Sequence, residues 1–192
     1  MTAGPAVPGY RIEGHAIVSA DDRIAAADGT MPATLHNAAD WVRFQAELDR
    51  AVLVVVGRAS HEANPNRRAR PRLVVSSSAT GIERRADAWW WNPAKLAVAD
   101  AFAAAAPQGG IIAVPGGRRV FDLFLALGFD AFHLARAERL HIAGGIPVFS
   151  AVDHPKTAVT VLAEHGMVAG ARDVLDAAAG VTLTEWRRDA AD

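Results

Sequence analysis

The stretch Ile111-Ile112-Ala113-Val114, Pro115-Gly116-Gly117-Arg118-Arg119, Val120-Phe121-Asp122-Leu123-Phe124-Leu125-Ala126-Leu127 decides the fold. It opens on a short apolar run with β-branched residues, passes through two glycines, and continues with apolar residues at helical spacing. That reads as a buried strand, a tight turn and a helix lying on the sheet. Two glycines let backbone approach a ligand closely, and the helix N-terminus aims free N–H groups and a positive dipole end at the same place. An anion, most often a phosphate, fits there. A glycine pair is also an ordinary tight turn, so the strand-to-helix context carries the ligand reading.

The 192 residues give room for one domain with a substantial core. A content of 51% hydrophobic and 21% charged residues is that of an ordinary globular chain, and a net charge of −1 gives no global case for nucleic acid or acidic membrane surfaces. The absence of cysteine excludes disulfides, thiolate metal sites and a cysteine nucleophile. No apolar run reaches the length of a membrane span. Met1–Gly9 reads as a flexible tail without signal-peptide character, and a cytoplasmic protein is expected. A single domain follows over 10–192.

Outward from the glycine pair the chain alternates strands and helices. His15–Val18 is a short strand, and the polar stretch from Ala20 to Ala33 is a mobile loop. Asn37 starts a helix from Ala38 to Leu48, with Trp41, Phe44 and Leu48 at helical spacing and Asp40 on the Phe44 face. Ala51–Val56 is an unbroken apolar strand ending in Gly57-Arg58-Ala59-Ser60. Leu73–Val75 is another, ending in Ser76-Ser77-Ser78. Trp89–Trp91 reads as a partly buried edge strand or subunit contact. A helix follows from Asn92-Pro93 to Ala106. Ala131–Leu134 and Leu140–Ile142 are strand candidates, and Gly144–Phe149 is a turn into an extended piece. Pro155 to Ala179 reads as helical, and Val181–Trp186 as a closing strand.

This order predicts an α/β fold with a mostly parallel central sheet, helices on both faces and an antiparallel C-terminal strand. Ligands in such sheets sit beyond the C-terminal strand ends. Gly57-Arg58, Ser76-Ser77 and Gly116-Gly117 each fall there. Neither G-x-G-x-x-G after the first strand nor G-x-x-x-x-G-K-[ST] is present, so neither a Rossmann nor a P-loop site is expected. His61, His133, His141, His154 and His165 show no metal-ligand spacing, and no metal is expected.

With these pieces placed, the chain resembles the dihydrofolate reductase superfamily, which includes the reductase domain of riboflavin biosynthesis. The matching pieces are Asp22-Arg23-Ile24-Ala25, Met31-Pro32, Asp40-Trp41-Val42-Arg43-Phe44, strand–Gly57-Arg58, strand–Ser76-Ser77 and Gly116-Gly117-Arg118-Arg119-Val120-Phe121. The resemblance implies NADPH as cofactor. Gly116 and Gly117 would approach the pyrophosphate, with Arg118, Arg119 and Val120 at the helix start. Gly57, Arg58 and Ser60 would meet phosphates, and Ser76 and Ser77 the adenosine 2′-phosphate. The loop from Ala20 to Ala33 would be a lid.

Asp40 corresponds to the family's active-site carboxylate, with Phe44, Val18 and Arg70 as substrate contacts. Acidic residues also favour a first helical turn through capping and the dipole, so the family match is what marks Asp40 as catalytic. The sequence departs from dihydrofolate reductases at Ala33, Pro115, Phe121 and Ala135, and Gly144–Phe149 looks more like the riboflavin-pathway enzyme. The expectation is an NADPH-dependent reduction of a small pterin-like heterocycle, dihydrofolate first and the riboflavin-pathway pyrimidinone second. A catalytically silent nucleotide-binding relative is a further alternative. A homodimer is possible, and no nucleic-acid or membrane partner is expected.

Overall fold

A computed structural model describes residues 7–188. Residues 1–6, most of the expected tail, lie outside it. Val7 is already buried, and the Gly9 carbonyl accepts a hydrogen bond from the Gly110 amide, so the chain is anchored before its first strand.

That strand, β1 (Tyr10–Ser19), is longer than expected and lies inside a nine-stranded sheet. Its parallel neighbours are β7 (Gly110–Val114) and β8 (Ala131–Ala137). Beyond β7, β3 (Leu53–Gly57), β4 (Arg72–Val75) and β6 (Ala88–Trp91) continue the parallel run. The apolar runs at 53–56 and 111–114 follow from this position, because a central parallel strand is covered on both faces. β11 (Val181–Arg188) pairs antiparallel with β8, as expected of the closing strand.

Helices cover both faces. On one, α1 (Ala38–Arg50) lays Phe44 and Leu48 over Val54, Val56, Val74 and Ala113. Its N-terminus is fixed by the Asn37 side chain, which accepts from the amides of Ala39 and Asp40. On the other face, α3 (Val98–Ala105), α4 (Arg118–Leu127) and α5 (Ala158–Glu164) bury Phe102, Phe121, Phe124 and Leu162 in the main core. A short helix, α2 (Arg58–Ala63), follows β3 directly.

Several expectations are corrected. The segment 155–179 is not one helix. α5 stops before Gly166, whose φ is +74°, and Met167–Asp176 forms the outermost strand, β10, antiparallel to β11. Residues 177–179 are the turn between them, not part of a helix. Val168 and Val174 are exposed on this edge strand. Leu140–Ile142 is not a strand; Leu140 and Ile142 pack from a turn onto the cluster of Leu35, Ala137 and Val181. The tryptophan run is not the sheet edge, because β5 (Ile82–Arg85) pairs outside it, and Trp91 is buried. The helix expected from Asn92 begins only at Val98, after a turn held by the Asn92 side chain, which accepts from the Ala94 amide. The stretch 20–33 carries a strand, β2 (Arg23–Ala25), paired with β9 (Ile146–Pro147).

Candidate cofactor and substrate crevice

The glycine pair sits where β7 gives way to α4. Gly116 has φ +94°, and a Cβ there would lie 2.4 Å from Cε2 of Phe121. Only glycine fits, and the Gly116–Gly117 peptide is cis. No side chain caps α4, so the amides of Arg118 and Arg119 at its start have no side-chain acceptor. Val120 and Phe121 anchor the turn from below, their amides donating to the Gly117 carbonyl.

The neighbouring strand end repeats the arrangement. β3 passes through Gly57 straight into α2, again with no side-chain cap. A Cβ on Gly57 would come within 3.3 Å of Cγ2 of Val120, so the two glycine steps abut. Ile24 of β2 reaches towards Gly117 from the other side, its Cδ1 3.9 Å from where a Cβ would stand. Two adjacent strand ends, two uncapped helix starts and an overlying strand from the β1–α1 connection therefore converge.

The surrounding polar residues differ in how free they are. Arg58 is exposed and bonds Glu62 one turn along α2 at 2.7 Å. Ser60 lies on the same helix. Arg119 is exposed and Arg118 partly so. At the β4 end Ser76 is buried; its hydroxyl meets that of Ser78 at 2.9 Å and accepts from the Ser78 amide. Ser77 is exposed and its carbonyl accepts from Asn92. Arg85 of β5, unremarked in the sequence, donates to the Ser78 hydroxyl and carbonyl and stands 4.6 Å over the Trp90 ring.

On the α1 face, Asp40 is half-buried in the first turn. Burial pushes its carboxyl up, against the opposing pull of Arg43. Phe44 lies one turn further and meets Trp41 and the edge of His15. Arg70 packs along the far part of the same helix, held by Asp49 (2.6 Å) and by the Gln45 side chain (2.8 Å). Val18 is not on this face. It is fully buried in the main core with Val120 and Phe121, as the alternation of β1 requires.

The same alternation brings Glu13 and His15 under α1, an arrangement the sequence reading missed. Both are buried, and His15 lies in register with His133 of β8. The two imidazoles stack at 4.6 Å, and Glu13 stands 3.5 Å from His133 and bonds Arg11. Burial raises the Glu13 carboxyl, but His133 and Arg11 outweigh it and hold it at about 2. Burial, reinforced by His133 and Arg43, pushes His15 down to about 3, so it is neutral. The signal for this cluster was a charged and an imidazole residue two apart inside a strand, where apolar residues are the rule.

No family model and no curated protein matches the sequence. Solved structures do. The chain is similar to dihydrofolate reductase from Enterococcus faecalis, complexed with NADP(H) and RAB-propyl, at TM-score 0.64 and 16% identity over 93% of this chain and 96% of that one. It is similar to a riboflavin biosynthesis protein from Shewanella sp. PV-4, at TM-score 0.62 and 18% identity over 93% and 99%. It also matches the diaminohydroxyphosphoribosylaminopyrimidine deaminase/5-amino-6-(5-phosphoribosylamino)uracil reductase of Thermotoga maritima, at TM-score 0.57 and 15% identity. That match spans 93% of this chain but only 56% of the larger protein. The order and pairing of the strands, the helices on both faces and these likenesses together show that the chain has the dihydrofolate reductase-like fold.

Proposed function

We propose that this chain is an NADPH-dependent reductase that transfers hydride to a C=N bond of a pterin-like heterocycle, with dihydrofolate as the first substrate. The observation that carries the reading is Asp40, a carboxyl raised by burial in the first turn of α1 beside Phe44. Reduction of C=N requires a proton on nitrogen as hydride reaches carbon. A carboxyl whose protonated form is favoured by burial can hydrogen-bond an amidine-like edge and pass a proton to that point.

NADPH, when bound, supplies the hydride. The residues fit it: Gly116 leaves a cradle that a Cβ would fill, and the uncapped starts of α4 and α2 offer N–H groups to a pyrophosphate. Gly57, Gly117, Arg118, Arg119, Val120 and Ser60 complete that wall in this reading. Arg58 turns from Glu62 to a phosphate, and Ser76 and Ser77 receive the 2′-phosphate. Val18 supports the floor from the core side. The likeness to an enzyme solved with NADP(H) supports the same assignment.

A second reading, the riboflavin-pathway pyrimidinone reductase, is favoured by a specific observation. Arg70 is engaged by Asp49 and Gln45, so the acidic tail of dihydrofolate must compete with Asp49 for it. The test follows nicotinamide absorbance with the purified chain and NADPH, offering dihydrofolate and then the pyrimidinone, with Asp40→Asn alongside. Oxidation that collapses in the variant supports the reductase and names its branch. No oxidation with NADPH still protecting against unfolding points to a silent relative. The absence of both turnover and protection overturns the reading.

A further inference from the structure

We propose that Glu13, His15 and His133 form a binding site for one divalent transition-metal ion of the zinc or nickel kind. The ligand atoms of the three residues lie within 4.8 Å of one another, the one such grouping among the described residues. They come from neighbouring parallel strands: His15 and His133 are partners across β1 and β8, and Glu13 precedes His15 by two on the same face. No spacing within a single segment of the sequence announces such a set.

A second observation points to a ligand. His15 is 2% exposed, and neither of its ring nitrogens has a hydrogen-bond partner. Nε2 of His133 is buried without a hydrogen bond and faces the Glu13 carboxylate across 3.5 Å. Buried polar atoms are ordinarily bonded, and leaving both His15 nitrogens without partners is costly unless something else bonds them. A metal ion bonds the in-plane lone pair of an imidazole nitrogen. The rings stand stacked and parallel, at 1°, so their in-plane lone pairs do not converge as they stand, and binding one ion requires one ring to turn about its broad χ2.

The donor set selects the ion. Two imidazoles and a carboxylate suit zinc, nickel or copper rather than calcium or magnesium, which take oxygen ligands. Arg11 occupies Oε1 of Glu13 and leaves Oε2 towards the histidines. Arg43 and Arg50 of α1 act on His15 and oppose a cation, while Glu185 of β11 pairs in register with His133 and favours one. The balance gives a moderate site, not one on which folding depends. The inference does not rest on the reductase reading, since the cluster is built from β1 and β8 side chains and metal binding is read without NADPH or substrate.

The test titrates the chelator-treated full chain with Zn²⁺ by calorimetry, and with Co²⁺ by its visible absorption. One ion per chain is expected, with imidazole-type Co²⁺ bands. His133→Ala and Glu13→Gln should each weaken binding about tenfold or more, whereas His36→Ala, at an exposed position, should not. His15→Ala is the stronger variant, and the other two keep the test open if it does not fold. No saturable binding, or binding unchanged in both His133→Ala and Glu13→Gln, overturns the proposal.

Discussion

The glycine crevice and the Glu13–His15–His133 cluster are both built on β1, β7 and their neighbours, yet they are made in opposite ways. At the crevice each step is local: strand, glycine, uncapped helix, repeated at the ends of β3 and β7. Backbone does the work, and side-chain identity matters mainly by its absence, as at Gly116. The cluster is built from side chains that alternation and register bring together across strands. Its backbone is ordinary, and its polar atoms are expensive to bury. The crevice should therefore break through steric changes, and the cluster through changes of charge.

The largest effect is expected at Asp40, in the first turn of α1. Asp40→Asn should lower turnover by about 10²–10⁴-fold with far less change in NADPH affinity, read from steady-state kinetics against cofactor titration. Because burial raises the Asp40 carboxyl, its charged form costs stability above its folded pKa, and that cost disappears as pH falls through this value. Asp40→Asn should accordingly raise the melting temperature at neutral pH and lose that advantage in acid. Equal melting shifts at both pH values would remove the basis for a raised carboxyl.

At the crevice, Gly116→Val meets both positive φ and the Phe121 ring. It should destabilise the fold by about 2–4 kcal/mol in denaturant titration and abolish NADPH protection. Gly117→Ala, with only Ile24 near at 3.9 Å, should spare stability and separate ligand approach from packing.

At the cluster the pH sign is opposite to that of Asp40. His15 is neutral when folded and protonates near 6.5 when unfolded, so its contribution is complete above that pH and is lost as pH falls towards about 3. Glu13 adds a loss in the same direction from 4.5 to about 2. With chelator present, His15→Phe should flatten the melting temperature between pH 6.5 and 4 relative to the native chain. The smallest effect belongs to the exposed Arg58–Glu62 pair. Arg58→Ala should change stability by no more than about 0.5 kcal/mol, so any marked rise in the KM for NADPH reports a phosphate contact.

Most parallel strands were legible because each is a short apolar run ended by a glycine or serine step. α1 and α4 were legible because helical spacing, Asn37 and the glycine pair agree. The misread elements share a cause. β10 is an edge strand whose residues are mostly exposed, so its composition carries neither alternation nor burial, and pairing with β11 alone makes it extended. β5 was hidden in the charged run Glu83-Arg84-Arg85 for the same reason. In the site, the glycines could be singled out because their role is local. That Val18 faces the core and that Arg70 is engaged by Asp49 depend on which strand face and which helix flank they meet.

The sequence by itself determined the parallel centre of the sheet, the two glycine steps and the acid in the first turn of α1, because each is a pattern closed within about a dozen residues. Only the tertiary structure decided that 167–176 is a strand, that β5 covers the tryptophans and that His15 stacks on His133. Those outcomes rest on pairings between segments remote in the chain, whose register no local pattern encodes.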